Sequence, residues 1–314
     1  MSKNTFKVIR PGINTTFQDK GRANLYHLGI PFSGAMDNRS YLLANKLVGN
    51  NLTNPVLEFA LQGPLLKYFG EKINFAITGD VSFKIKSKNG EIEGNCYETY
   101  EIHDGDEVDL LSTNKSVYGY LSISGKFDVD YQWGSCSTNT KSNIGANEGK
   151  KLQADQIINI SKINNNLGKK RVSYINSKIE KIRVIKGTNF DYFSKTAISN
   201  FFEKEFKVSK LSDRMGMRLE GTKLENIKSS NIKSEGLIKG VIQVPGDGNP
   251  IIMLSDHGTI GGYPKIGVII SADYDRLVQI PPGSNIKFQQ IELSDAETLF
   301  KMYEMNTQNL LSQI

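Results

Sequence analysis

The chain has 314 residues, 38% of them hydrophobic and 23% charged, and its 39 basic and 33 acidic side chains leave a net charge of +6 at pH 7. This composition excludes a disordered or fibrous chain, and the sequence holds no apolar run of about 18 residues, the length a membrane-spanning helix needs. The basic excess is spread without a block or a nucleic-acid motif, so it suits anionic small ligands or an acidic protein, with no nucleic-acid and no membrane partner expected.

The opening MSKNTFKVIRPG lacks the apolar stretch of a secretory signal, which predicts a cytoplasmic protein. Cys96 and Cys136 are read there as free small hydrophobes. The segments FKVIRPG (6–12), KINFAITGDVSFKIKSKNGEI (72–92), DEVDLLS (106–112) and YGYLSISG (118–125) are β-branched or aromatic runs punctuated by Gly, Asn and Asp. That pattern predicts an antiparallel barrel or sandwich. Between the first two runs, TTFQDKGRANLYHLGIPFSGAMD (15–37) sets Gln18, Asp19, Arg22, His27, Ser33 and Asp37 among Gly21, Gly29, Pro31 and Gly34. This is more polar chemistry on irregular backbone than a barrel needs, as in functional loops carried by a rigid scaffold. Asp37 reads equally as a helix cap, because DNRSYLLANKLVGN pairs Leu43 with Leu47 and Ala44 with Val48 before a Gly49-Asn50 stop. His27 reads as a structural histidine, and Ser33 lacks the third, orienting group that a nucleophile would need.

Residues 160–178 are polar, rich in Asn and Lys, and without apolar periodicity, which predicts an N-terminal domain of 1–165 and a C-terminal domain of 178–314. FKVIRPGINTTF opens the first half and IRVIKGTNFDYF the second, so the two halves read as similar β-barrel units in tandem. Few helices are expected beyond the one at Asp37. FDYFSKTAISNFFEKEF (190–206) is a second, and the tail from Ser294 is a third, with Ser294 and Glu297 as a capping box before Leu299, Phe300 and Tyr303.

In GVIQVPGDGNPIIMLSD (240–256) a Pro-Gly-Asp-Gly turn joins two strands, and the hairpin carries Gln243 and Asp256 toward the rim where Lys265 stands. The run SDHGTIGGYPKIG (255–267) lacks the GxxxxGK[ST] pattern of a nucleotide loop, and a strand rather than a helix follows it. Its glycines permit close approach and positive φ, and Pro264 fixes the chain before Lys265. Two readings stay open: an anion-facing loop with Lys265 as its charge, or a hairpin with a solvated lysine. The three histidines are scattered and show no metal-ligand spacing.

PGINTTFQDKGR, HLGIPFSGAMD, ANKLVGN, LEFALQGPLL, AITGD, GSCST, SDRMGMRLEG, SEGLIKGVIQVPGDGNPIIMLSDHGTIGGYPKI and ADYDRLVQIPPG stand in the order seen in the allophanate hydrolase subunit 2 family, which the chain resembles from about residue 6 to 290. That family holds Kip-type antagonists, the C subunits of 5-oxoprolinases and the carboxyltransferase part of urea carboxylase. The resemblance implies a mainly β fold of two tandem cyclophilin-like antiparallel β-barrels facing a shared cleft, with a few short helices. The sequence departs from the family at Ile260, at Cys136 and at Lys186-Gly187-Thr188.

Read through the resemblance, the chain is the C subunit of an ATP-dependent 5-oxoprolinase that opens 5-oxo-L-proline to L-glutamate. A B subunit, similar to allophanate hydrolase subunit 1, and an A subunit are its expected partners. ATP, with Mg, belongs to the assembled complex, and this chain carries no Met-Lys-Met stretch for attached biotin. Lys265, Asp256 and Gln243 are the catalytic candidates; Arg22, Ser33, Gly34, Asp37, Thr259, Gly261, Gly262 and Tyr263 are the substrate- or phosphate-binding candidates. The alternatives are carboxyl transfer to a urea-type amide, and regulation of a kinase inhibitor without chemistry.

Overall fold

A computed structural model describes residues 4–164, 168–174 and 179–314, so the expected domain limits at 165 and 178 lie outside the described residues. The chain divides into two compact units. One comprises Met1–Arg22, Ser33–Asn176 and Thr307–Ile314; the other comprises Ala23–Phe32 and Ser177–Asn306.

The first unit is built from two antiparallel sheets. The larger runs Lys126–Phe127, Ile157–Ser161, Thr5–Arg10, Leu65–Phe69, Glu107–Thr113, Val81–Ser87 and Gly90–Gly94 in spatial order. The smaller runs Thr16–Gln18, Val56–Ala60, Tyr118–Ile123, Ile73–Thr78 and Thr99–Ile102. Inward residues of both sheets make one core, with Phe6, Val8, Phe83, Val108 and Leu110 from the first and Phe17, Phe59, Phe75, Ile77 and Leu121 from the second. Alternation in VSFKIKS buries Val81, Phe83 and Ile85 and turns the lysines outward, as a sheet with one wet face requires. INFAIT is buried at every position instead. Its second face is covered by helix α1 (Asn38–Leu47), whose Leu43 and Leu47 pack with Ala76.

The second unit holds an eight-stranded sheet in the order Asn285–Ile286, Phe206–Val208, Gly216–Gly221, Ile251–Met253, Val241–Gln243, Lys265–Ile269, Ile182–Lys186 and Phe288–Gln290. The expected hairpin is present, with Ile242 opposite Ile252 and Gln243 opposite Ile251. The antiparallel expectation needs one correction: Ile182–Lys186 and Phe288–Gln290 pair in parallel. No hairpin joins these two strands; a long crossover that includes helices separates them, which is the connection parallel pairing requires.

Helix α2 (Lys195–Glu203) starts from Ser194, whose hydroxyl accepts from the Ala197 N–H at 3.0 Å. Its expected first turn is instead a separate 3-10 turn at Phe190–Tyr192. Phe201 of α2 stacks on Phe288 with ring centroids 4.5 Å apart. Helix α3 (Ser271–Val278) escapes sequence reading because Ile270, which cannot cap with its side chain, stands at its N-cap. α3 is fixed instead through Asp273, which accepts from the Arg183 N–H at 2.9 Å and pairs with the Arg183 guanidinium. Helix α4 (Leu293–Ser312) already includes Ser294, so the capping-box expectation is two residues late. Among the described residues no helix is long and apolar enough to cross a membrane.

Candidate functional site

Lys265 opens the strand Lys265–Ile269, and its backbone is held from both sides. Its N–H donates to Asn189 Oδ1 at 3.1 Å, and its carbonyl accepts the Asn189 N–H at 3.2 Å. The Val244 N–H donates to the Pro264 carbonyl at 2.9 Å. Lys265 lies opposite Gln243 where the pairing register shifts, a bulge of the kind that re-aims a side chain. The result overturns the solvated-lysine reading: the Lys265 side chain is only 5% exposed, and its Nζ meets Glu235 Oε2 at 2.8 Å. Among the described residues Glu235 is its one hydrogen-bond partner.

Glu235 comes from a short ladder that the sequence reading does not foresee. Glu235–Gly236 pairs antiparallel with Ile260–Gly261. The Leu237 N–H donates to the Thr259 carbonyl and the Ile232 N–H to the Gly262 carbonyl, each at 2.9 Å. Residues 232–237 therefore lie as a strap along the loop 259–262. On the loop's other side, Gln243 Nε2 donates to the Tyr263 carbonyl at 3.3 Å.

The glycines of this loop are needed for space. Gly258, Gly261 and Gly262 are absent from the positive-φ residues, which corrects the expectation of left-handed backbone there. A Cβ on Gly261 would lie 2.6 Å from Gln243 Nε2, and one on Gly262 would lie 3.1 Å from the Ile232 carbonyl. Strap and Gln243 thus close on the loop from two directions, and the run does not form a phosphate cradle of the nest type, which needs left-handed backbone.

Asp256 is 5% exposed, and both of its oxygens are bound by Arg214, Nε to Oδ2 at 2.8 Å and NH2 to Oδ1 at 3.1 Å. Such a fork pins the start of the loop and occupies both carboxylate oxygens. Next to it stands His257, which the sequence reading does not single out. Its Nδ1 lies 2.7 Å from the Gly258 carbonyl and must carry the hydrogen; Nε2 then accepts from Tyr26 Oη at 3.2 Å. Burial holds this imidazole neutral by lowering its pKa below the usual histidine value, and the nearby Lys239 charge acts in the same direction. A histidine inside a glycine-rich run is the signal that finds it. Asn189 and Glu235 carry no such signal, since their partners are 76 and 30 residues away.

The candidates in the first unit form a different cluster. Asp19 accepts from Ser135 Oγ at 2.5 Å, Ser137 Oγ at 2.6 Å, and the Cys136 and Gly21 N–H groups at 2.8 Å each. Arg22, 2% exposed, donates to the Ser137 carbonyl at 2.7 Å and the Gln132 carbonyl at 3.3 Å. Together they tie the loop 132–137 to the segment 19–22. Ser33 is buried with φ +57, accepts from Asn139 Nδ2 at 3.2 Å, and precedes Gly34 at φ +86. A Cβ on Gly34 would lie 3.0 Å from the Gly21 nitrogen. Asp37 is the N-cap of α1, accepting from the Ser40 N–H at 3.0 Å and Ser40 Oγ at 2.7 Å, while its own N–H donates to Tyr120 Oη at 2.7 Å. Cys136 and Cys96 are free thiols; burial pushes the first well above the usual thiol range and the second to about 11.

A family model for the carboxyltransferase domain, subdomain A and B, matches residues 28–290. The chain belongs to the carboxyltransferase domain family. Within it, the C subunit of the 5-oxoprolinase of Escherichia coli (strain K12) is 35% identical over 297 residues, with 92% of each chain covered. The urea amidolyase of Saccharomyces cerevisiae (strain ATCC 204508 / S288c) is 28% identical over 328 residues, covering 97% of this chain and 18% of that protein. The crystal structure of the K. lactis urea amidolyase shares the fold at a TM-score of 0.90 and 29% identity, over 99% of this chain and 20% of that one. Lys265, Gln243, Glu235 and His257 all lie within the part that the carboxyltransferase model matches.

Proposed function

We propose that the chain is the C component of an ATP-dependent 5-oxoprolinase in the cytoplasm, working with separate B and A subunits to hydrolyse 5-oxo-L-proline to L-glutamate. The observation that carries this reading is the 35% identity to a 5-oxoprolinase C component with 92% of both chains covered, against the 18% of a urea amidolyase that this chain spans.

A lactam carbonyl is a poor electrophile, and in this reaction ATP supplies the phosphoryl group that activates it. The glycine-rich run 255–267 does not fit the nucleotide: it has no left-handed glycine, and strap and Gln243 engage its backbone. The reading therefore places ATP and its Mg on a partner subunit. What this chain offers is a buried ammonium at Lys265, which suits the carboxylate of 5-oxo-L-proline, with the Gln243 amide opposite it in the sheet. Asp256 and Arg214 hold the loop, so their part in the chemistry is positional. Within the first unit, Ser33, Gly34, Asp37 and Arg22 are proposed as substrate- or phosphate-binding residues, through the loop geometry they fix.

The test is ATP-coupled turnover by the three reconstituted components, with 5-oxo-L-proline and with urea as separate substrates. Turnover of 5-oxo-L-proline that stops when this chain is omitted supports the reading. A second reading, carboxyl transfer to a urea-type amide, draws on the TM-score of 0.90 to a urea amidolyase. It is favoured if urea alone is consumed, in the presence of biotin carboxylated in trans.

A further inference from the structure

An ammonium has three N–H donors, yet Lys265 Nζ, on a side chain 5% exposed, has one hydrogen-bond partner among the described residues, Glu235 Oε2 at 2.8 Å. Burying a cation with donors unused is costly, and a site built only for stability would complete the set or remove the charge. The single partner is also far more exposed than the lysine it holds. Glu235 is 48% exposed at its side chain, and it sits on a ladder of two residue pairs, Glu235 with Gly261 and Gly236 with Ile260. By contrast, Asn189 clamps the Lys265 backbone, and Gln243 backs the loop. The clamped half of the pair is the lysine, and the solvent-facing half is the carboxylate.

We infer that Glu235 is a resident stand-in for the ligand, a carboxylate held on Lys265 by the strap 232–237 and exchanged for the oxyanion of an incoming small carboxylate or phosphate. The inference rests on the proposed reading of Lys265 as the ligand's anion contact and adds the class of group that binds there. The exchange is one of like for like: Glu235 leaves to water, which half of its side chain already touches, and the ligand oxyanion takes over its hydrogen bond and can engage the unused donors. No covalent step is involved. Glu235 thereby sets specificity, since a neutral ligand cannot compensate the ammonium that the departing carboxylate uncovers.

The prediction has a sign that a purely structural role would reverse. If Glu235 competes with ligand, Glu235→Gln removes the competing charge and binding tightens, by about tenfold, equivalent to about 1.4 kcal/mol. If Glu235 serves only to position or charge Lys265, the same change weakens binding. We would titrate 5-oxo-L-proline and inorganic phosphate separately into the assembled complex by calorimetry, using wild type, Glu235→Gln, Glu235→Ala, Lys265→Ala and Lys265→Ala/Glu235→Gln, with melting temperatures to confirm folding. Tighter binding of either anion by both Glu235 variants, lost in both Lys265 variants, supports the inference. Tightening for phosphate alone, with no binding of 5-oxo-L-proline, supports it while removing the 5-oxoprolinase reading. Unchanged or weaker binding in both Glu235 variants overturns it; if Lys265→Ala still weakens binding there, the proposed role of Lys265 stands without it. Unchanged binding in Lys265→Ala overturns both.

Discussion

Lys265 and His257 meet burial in opposite ways, and each makes a prediction of its own. The lysine keeps an anionic neighbour and the histidine gives up its proton. On the proposed reading, replacing Lys265 by alanine removes a charge-assisted contact to the ligand, and losing one such contact in the transition state costs about 3 kcal/mol, roughly a hundredfold in turnover. Lys265→Arg should restore only part of this, because a planar fork does not replace a compact ammonium at a buried strand end opposite Gln243. ATP-coupled turnover by assembled variants checks both, and wild-type turnover by folded Lys265→Ala would end the assignment. For His257 the linkage sign follows from its lowered pKa in the folded state. The unfolded chain binds this proton more readily, so the stability contributed by neutral His257 is present above the unfolded pKa of about 6.5 and is lost as pH falls below it. His257→Gln should therefore flatten the fall in urea midpoint between about pH 6.5 and 5 relative to wild type. Parallel slopes for the two proteins would show that the imidazole takes up its proton alike in the folded and unfolded states.

Among the elements, the strand that carries Lys265 depends on a neighbour with no side chain. A Cβ on Gly187 would lie 2.3 Å from the Lys265 carbonyl, and the Gly187 N–H donates to the Ile266 carbonyl at 3.0 Å. Gly187→Ala should push the two segments apart, with an overpacking cost of about 2–3 kcal/mol and reduced turnover, read by urea unfolding and assay. Ser194→Ala should cost about 1 kcal/mol through the lost cap of α2, with turnover unchanged. The contrast between these segments also marks what the sequence makes legible. Alternation in VSFKIKS, the Asp37 cap and the Pro-Gly-Asp-Gly hairpin are local signals, and the structure follows each of them. α3 has no capping side chain, and the parallel pairing of Ile182–Lys186 with Phe288–Gln290 joins segments about a hundred residues apart, so neither leaves a local trace. The site divides in the same way. Lys265 and Gln243 are visible in the run and hairpin that carry them, whereas the Glu235 and Asn189 contacts are made by tertiary pairing alone. Arg22 and Asp256 show a further limit: sequence marks them as chemistry-bearing, but Arg22 donates to backbone carbonyls and both Asp256 oxygens are held by Arg214.

For the molecule as a whole, the proposed reading turns on how the work is divided among components. Opening a lactam at the expense of ATP requires a nucleotide site, and the run that most resembles one is closed by strap and Gln243, with no left-handed glycine to turn amides toward phosphate. The relationship with the C component of the Escherichia coli 5-oxoprolinase extends over 92% of both chains, so the likeness is to a component of similar length rather than to a fragment of a longer enzyme. A net charge of +6 favours an acidic surface on whatever protein completes the unit, and association driven by that charge should weaken with salt. The chain is therefore expected to co-purify with a B subunit at low ionic strength and to show no 5-oxo-L-proline-dependent ATP turnover alone. Adding B and A should restore turnover, and raising the salt should lower the affinity between the components before it lowers the rate at saturating partner. ATP turnover by the isolated chain at the rate of the full mixture would place the nucleotide site here after all, and the division of labour proposed for the three components would have to be abandoned.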